Sequence, residues 1–350
     1  MKVKIVLTLA ALCLLAGCGQ TADSLGEVIE YEDVNTYDKT VVSLTPVALD
    51  EVLMMPRKLW VQDSTLIVYD EGRSENGVLR GYDLPSGQLS FHDILIGNGP
   101  AEYLLPQFME IGDHLLAYSV TGRSELLSVD ENENGKKLSR VEQQALSDEQ
   151  LYFSNYLFPV NDTLVVANQG GESQFTVYNP QTDSIWYFNN FPKKYSVSDF
   201  VLNTAVFDAF YVMGENRRIV VAYKYYPIVD VVDPLNRFAT QRIVFNNQFQ
   251  NQFKVIDEAN VEFIDPKWQY TFTHCNSRYF YALYQNSDRE TLRDNRQTSE
   301  IHQFSWDGTF VGRWVTDRPL YNFTVSADDK YLYGLSFDEE SEPIVLRGAL

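Results

Sequence analysis

The stretch 153–188, FSNYLFPVNDTLVVANQGGESQFTVYNPQTDSIWYF, decides the fold. It holds four short apolar or alternating runs, at 155–160, 163–168, 174–178 and 184–188. Asn161-Asp162, Gly170-Gly171 and the polar segment 179–183 separate them. Alternation turns one face of a strand inward, and Gly, Asn and Asp supply the tight turns between strands. Four antiparallel strands in so few residues make one propeller blade.

The pattern repeats on both sides of this stretch. Similar units occupy 58–96, 107–144, 208–245 and 270–314, and a last one starts at 321 and holds only three strands. The turn before the fourth strand recurs in kind: Tyr82-Asp83-Leu84-Pro85, Tyr178-Asn179-Pro180, Val232-Asp233-Pro234 and Trp306-Asp307-Gly308. Asp and Asn bond their own backbone at such turns, and Gly takes positive φ. Repetition at this period marks a propeller or solenoid. The run 40–50, TVVSLTPVALD, stands alone before the first unit. It is expected to supply the missing outer strand of the last blade, which would close the ring and remove an exposed sheet edge. The fold class is therefore all-β, a six-bladed β-propeller forming one domain over 39–350. Residues 141–151 are the one modest helical candidate.

The first residues read differently. A basic start, Met1-Lys2-Val3-Lys4, precedes an apolar run at 5–15 that is too short to span a bilayer. Leu15-Ala16-Gly17-Cys18 resembles a bacterial lipobox, which implies removal of signal peptide 1–17 and acylation of Cys18. Residues 18–38 then read as a lipidated tether, polar and acidic. Residues 1–17 hold two lysines and no acid, so the mature chain is more acidic still than the formal net charge of −20. Such a surface repels nucleic acid and anionic membranes. Cys13 leaves with the signal and Cys18 is acylated, so Cys275 is the one thiol left and no internal disulfide can form.

After the first unit comes Ile96-Gly97-Asn98-Gly99-Pro100-Ala101-Glu102-Tyr103. This loop resembles the blade-end motif of NHL-like propellers. With the lipobox, the chain is similar to the TolB-like six-bladed propeller lipoproteins of Bacteroides-type bacteria. The resemblance implies the fold and an envelope location, lipid-anchored at the outer membrane of a Gram-negative cell, and carries no catalytic residue over. The residues suggest backbone freedom at Gly97 and Gly99, a fixed exit at Pro100 and amide capping by Glu102. Asp-Ser and Asp-Thr pairs before an apolar residue or Thr, at Ser24, Ser64, Thr163 and Ser184, resemble an envelope O-glycosylation sequon. They are also good turns.

No G-x-S-x-G elbow, H-E-x-x-H pair or Walker loop occurs. Four histidines (His92, His114, His274, His302) are scattered over different strands. Polar residues near the first strand of each blade, Asp63, Glu110, Asn155, Asp208, Thr273 and Asn322, are the candidates for an axial channel. The expectation is a monomeric ligand- or protein-binding module, with an envelope protein or a glycan as ligand, no nucleic acid and no cofactor. Aromatic residues are abundant enough (22 Tyr, 21 Phe, 5 Trp) to serve both packing and a binding face. The alternative is a calcium-dependent lactonase-like or other hydrolase with its site in the channel.

Overall fold

The computed structural model describes residues 25–350, apart from 100–101, 113, 120–122, 134, 146–150, 152–153, 194, 247–250 and 294–297. Three strands precede the blades: β1 (Leu25–Tyr31), β2 (Lys39–Val42) and β3 (Thr45–Pro46). Blade 1 is β4 (Pro56–Gln62), β5 (Thr65–Asp70), β6 (Leu79–Asp83) and β7 (Leu89–Asp93). A short parallel pair, β8 (Leu95–Ile96) and β9 (Glu102–Tyr103), leads out of it. Blade 2 is β10 (Gln107–Ile111), β11 (His114–Tyr118), β12 (Arg123–Asn132) and β13 (Gly135–Ala145). Blade 3 is β14 (Tyr156–Asn161), β15 (Leu164–Asn168), β16 (Phe175–Asn179) and β17 (Ser184–Phe188). Blade 4 is β18 (Ala209–Met213), β19 (Ile219–Tyr223), β20 (Ile228–Asp233) and β21 (Ala239–Phe245).

A separate hairpin follows, β22 (Gln252–Asp257) with β23 (Asn260–Ile264). Blade 5 is β24 (Trp268–Cys275), β25 (Tyr279–Ser287), β26 (Glu300–Ser305) and β27 (Phe310–Thr316). Blade 6 is β28 (Asn322–Val325), β29 (Tyr331–Phe337) and β30 (Pro343–Ala349). Within each blade, neighbouring strands pair antiparallel. The second strands are the most apolar: every residue of β19 is buried, as is every residue of β5. Such strands lie under neighbours on both faces, so they read as continuous apolar runs and lose the period of two. Buried clusters join blades 1 and 2, blades 2 to 4, blades 4 and 5, blades 5 and 6, and blades 6 and 1.

The N-terminal segment departs from the sequence reading. Residues 25–31, expected to be tether, form β1, which runs parallel along β21 as a fifth strand of blade 4. Tyr31 secures it: the ring stacks on Phe245 at 5.3 Å, and the hydroxyl donates to Gly308 O and accepts from Phe310 N. β2 runs parallel along β27 of blade 5, not on blade 6. Only β3 reaches the last blade, where Thr45 and Pro46 pair with Arg347 and Leu346 of β30, and Val47 N donates to Val345 O. One extended segment therefore lies along three consecutive blades. The expected helix at 141–151 is absent over its described part, because residues up to Ala145 continue β13. Short helical turns occur elsewhere, at α1 (Asp199–Val201) and α2 (Arg289–Arg293).

Candidate functional site

Six inner strands face the axis: β4, β10, β14, β18, β24 and β28. They enclose a cavity of about 250 Å³ to which every blade contributes. Its floor lies where these strands end. There Glu110 Oε2 of blade 2 meets His274 Nδ1 of blade 5 at 2.8 Å. At the same level Ile111 pairs with Met213, and Cys275 Sγ approaches Met213 O at 3.5 Å. These contacts narrow the cavity at that end, so that it has the form of a cup. Cys275 is buried, and burial pushes its thiol well above the usual range, which makes it a packing group and not a nucleophile.

His274 is held between Tyr281, stacked at 5.8 Å, and the edge of Phe323 at 6.1 Å. With Nδ1 facing a carboxylate, the ring carries a proton on that nitrogen. Nε2 has no partner among the described residues. On the wall, Asn322 Oδ1 accepts from Leu59 N at 3.3 Å, tying blade 6 to blade 1. Lys58 Nζ donates to Phe108 O at 3.0 Å, and burial pushes its ammonium down to about 8. Much of the remaining wall is aromatic, including Trp60, Phe272 and Tyr321.

A second hollow, of about 560 Å³, adjoins the cup where the inner strands begin, and shares Lys58, Tyr156, Phe210 and Tyr211 with it. This mouth is rich in amides: Gln107, Asn155, Asn168, Gln169 and Asn203. Two of them are structural. Asn168 Nδ2 donates to Gln174 O at 2.9 Å, and Asn203 Nδ2 donates to Gly171 O and Ser173 O. Asp208 at the rim accepts from Lys224 Nζ at 2.8 Å, and that ammonium lies 4.6 Å above the Trp268 ring.

The structure brings five of the six channel candidates to this region. Glu110, Thr273 and Asn322 line the cup, and Asn155 and Asp208 line the mouth. Asp63 lies elsewhere. It sits exposed in the turn between β4 and β5 with φ +49°, because the inner strand of blade 1 ends at Gln62. The residue that blade 1 sends to the axis is Lys58. Lys58 is neither acid nor amide and opens the first apolar run, so nothing in the sequence marks it as an axial residue. His274 is not marked either, since its contact with Glu110 spans two blades.

The loop after blade 1 is structural. Glu102 Oε2 accepts from Gly99 N at 2.8 Å. The glycines are not there for backbone angle, since neither has positive φ; the Glu102 carboxylate folds over them, and a Cβ on Gly97 would lie 1.9 Å from its movable Oε2. Of the sequon candidates, Thr163 is exposed in a turn, Ser184 is exposed as the first residue of β17, and Ser64 Oγ accepts from Lys136 Nζ at 2.7 Å. Cys18, Ser24 and Pro100 lie outside the described residues. Among the described residues, no group of three or more His, Cys, Asp or Glu is placed to hold a metal ion.

The family model of TolB-like six-blade propellers matches residues 36–328. The chain belongs to this family. Among solved structures, the TolB-like chain is similar to U3-55K, at 10% identity over 88% of this chain and 98% of that one, with a TM-score of 0.46. It is also similar to regucalcin, a calcium-binding protein of Agrobacterium tumefaciens (11% identity, 89% and 96% covered, TM-score 0.42). Virginiamycin B lyase of Staphylococcus aureus gives 8% identity, 88% and 100% covered, and a TM-score of 0.45. No curated protein matches the sequence. These likenesses concern the fold alone.

Proposed function

We propose that this TolB-like propeller is an envelope lipoprotein that binds a small ring-shaped ligand, such as the end of a glycan, in its axial cup. The observation that carries this reading is the cup itself, narrowed at one end by the Glu110–His274 contact, walled by six blades and adjoining an amide-lined mouth. A concave hollow rich in aromatic rings, with a few fixed polar groups, suits binding. The aromatic rings offer faces for a sugar's C–H groups, and the mouth amides offer donors and acceptors for its hydroxyls. A hydrolase built on convergent carboxylates has less support. Among the described residues, Glu110 is the one carboxylate in the cup lining, and it is engaged by His274.

Acylation at Cys18 completes the proposal. β1 begins beside Thr240, early in β21, at the floor end of blade 4. Seven residue steps separate Cys18 from Leu25, a reach of about 25 Å at full extension. The mouth would then open away from the membrane.

The test is thermal denaturation of the mature chain with a panel of mono- and oligosaccharides, repeated with Thr271→Trp, which fills the cup. A rise in Tm with a sugar, lost in the filled variant, supports the reading. A rise unchanged in Thr271→Trp, or none across the panel, overturns it.

A further inference from the structure

Lys58 is a half-buried cation in the cup wall with no counter-ion among the described residues. Its ammonium donates to one backbone carbonyl, Phe108 O, and makes no ion pair with a described residue. An ammonium has three donors, so two remain for something else. The charged groups around it are committed elsewhere. Arg57, next to it on β4, donates to Glu71 Oε2 at 2.8 Å. Glu110 of β10 is held by His274 of β24, and Asp208 at the start of blade 4 is held by Lys224. Tyr156 of β14 carries a phenol pushed far above its ordinary value by burial, so it stays neutral. A buried charge left unpaired is costly, and proteins keep such a charge where it has work to do. The lining also reverses the sign of the molecule: an acidic chain presents a cation on its axis.

Resting on the reading of the cup as a binding site, we infer that its ligand carries an anionic group taken by Lys58 and a ring taken by the aromatic wall: a small ring carboxylate of the uronic-acid type. The volume agrees. A space of about 250 Å³ equals roughly eight waters of the liquid, which suits one six-membered ring with its substituents. Charge-assisted contact with Lys58 would fix the carboxylate. Because burial brings the ammonium down to about 8, the preference for an anion should hold below that pH and fade above it, as Lys58 loses its proton.

Matched probes test this. D-glucuronate and D-galacturonate are titrated calorimetrically against D-glucose and D-galactose, which differ only at C6, into the mature chain at pH 6.5 and pH 9. The expected result is a preference of at least tenfold for each uronate at pH 6.5, reduced at pH 9. Lys58→Met abolishes the preference and Lys58→Arg keeps it, with near-ultraviolet circular dichroism confirming the fold of both. Neutral sugars binding as well as uronates, or a preference intact in Lys58→Met, overturns the inference and leaves the cup as a sugar site. Binding of none of the four probes, with no sugar raising Tm, overturns both readings.

Discussion

At the scale of single residues, the buried polar groups fall into two kinds. Lys58 waits for a charge from outside, whereas the buried arginines are answered from within. Arg242 donates twice to Asp230, at 2.8 and 2.7 Å, and Tyr223 donates to the same carboxylate. Arg80 faces Asp70 at 3.0 Å, and Arg313 faces Glu300 at 2.9 Å. Breaking such a pair leaves a charge stranded, at about 3–5 kcal/mol, while replacing both partners with apolar groups is often neutral. Arg242→Met should lose that amount in urea denaturation, and Asp230→Leu with Arg242→Met should recover most of it. His302 gives a pH prediction. Burial holds its imidazole below the ordinary 6.5 despite the contact with Glu300. The unfolded chain therefore takes the proton first, and stability declines as pH falls below 6.5. Glu300 is half-buried, which works to raise it, yet His302 and Arg313 hold it below the ordinary 4.5, so its contribution is lost lower still. Tm measured from pH 8 to pH 4 should be flat above 7 and fall below 6.5, and His302→Phe should remove the first part of that fall. None of these pairings was legible in the sequence. Asp230 interrupts an apolar run and marks itself as buried, but its partner lies on the next strand, at a distance set by register and not by spacing.

At the scale of elements, the strands of the blades were legible because turn chemistry and alternation agree there. Asp83, Asn179 and Asp233 each cap their turn as the repeated pattern required. What escaped was structure attached to the outside of blades. The segment at β1, LGEVIEY, is acidic and half-exposed, so nothing in its polarity distinguishes it from tether. Its strand character comes from the free edge of β21, a tertiary partner that composition does not show. The hairpin β22–β23 escaped for a similar reason: it belongs to no blade, and rests on rings such as Phe253 against Tyr195 at 4.6 Å. The strap gives a prediction. Burial of Tyr31 and Val34 is worth roughly 1.5–3 kcal/mol each. A chain beginning at Asp38 should therefore fold with stability lowered by roughly 3–6 kcal/mol, counting those two side chains alone. A chain beginning at Val47 also loses β2 and β3, which exposes the edge of β30 to pairing with other molecules. Urea titration and light scattering would separate the outcomes: a lower midpoint in the first, aggregation in the second. Equal midpoints for the Asp38 chain and the full mature chain would show that the strap is dispensable.

At the scale of the whole molecule, the proposed anchor and the proposed site lie at opposite faces of one propeller. On the floor side the Glu110–His274 contact and the Ile111–Met213 pair reach between blades and narrow the axis, so the proposed ligand is expected to enter from the mouth. A lipid at Cys18 would hold the floor side toward the bilayer, since β1 begins at that end of blade 4 and the intervening residues reach about 25 Å at most. Net negative charge on the body works in the same direction, keeping the propeller off an anionic surface while the anchor keeps it near. This arrangement predicts an asymmetry. In the acylated protein on vesicles, with Cys275 buried and unreactive, a single cysteine introduced at Gln107 in the mouth should react with a bulky maleimide as fast as in the soluble chain. One introduced at Asn236, in the turn before β21 on the floor side, should react several-fold more slowly on vesicles than in solution. Equal slowing at both positions would mean that the propeller tumbles freely on its tether. Slowing at Gln107 alone would put the mouth against the membrane and reverse the proposed orientation.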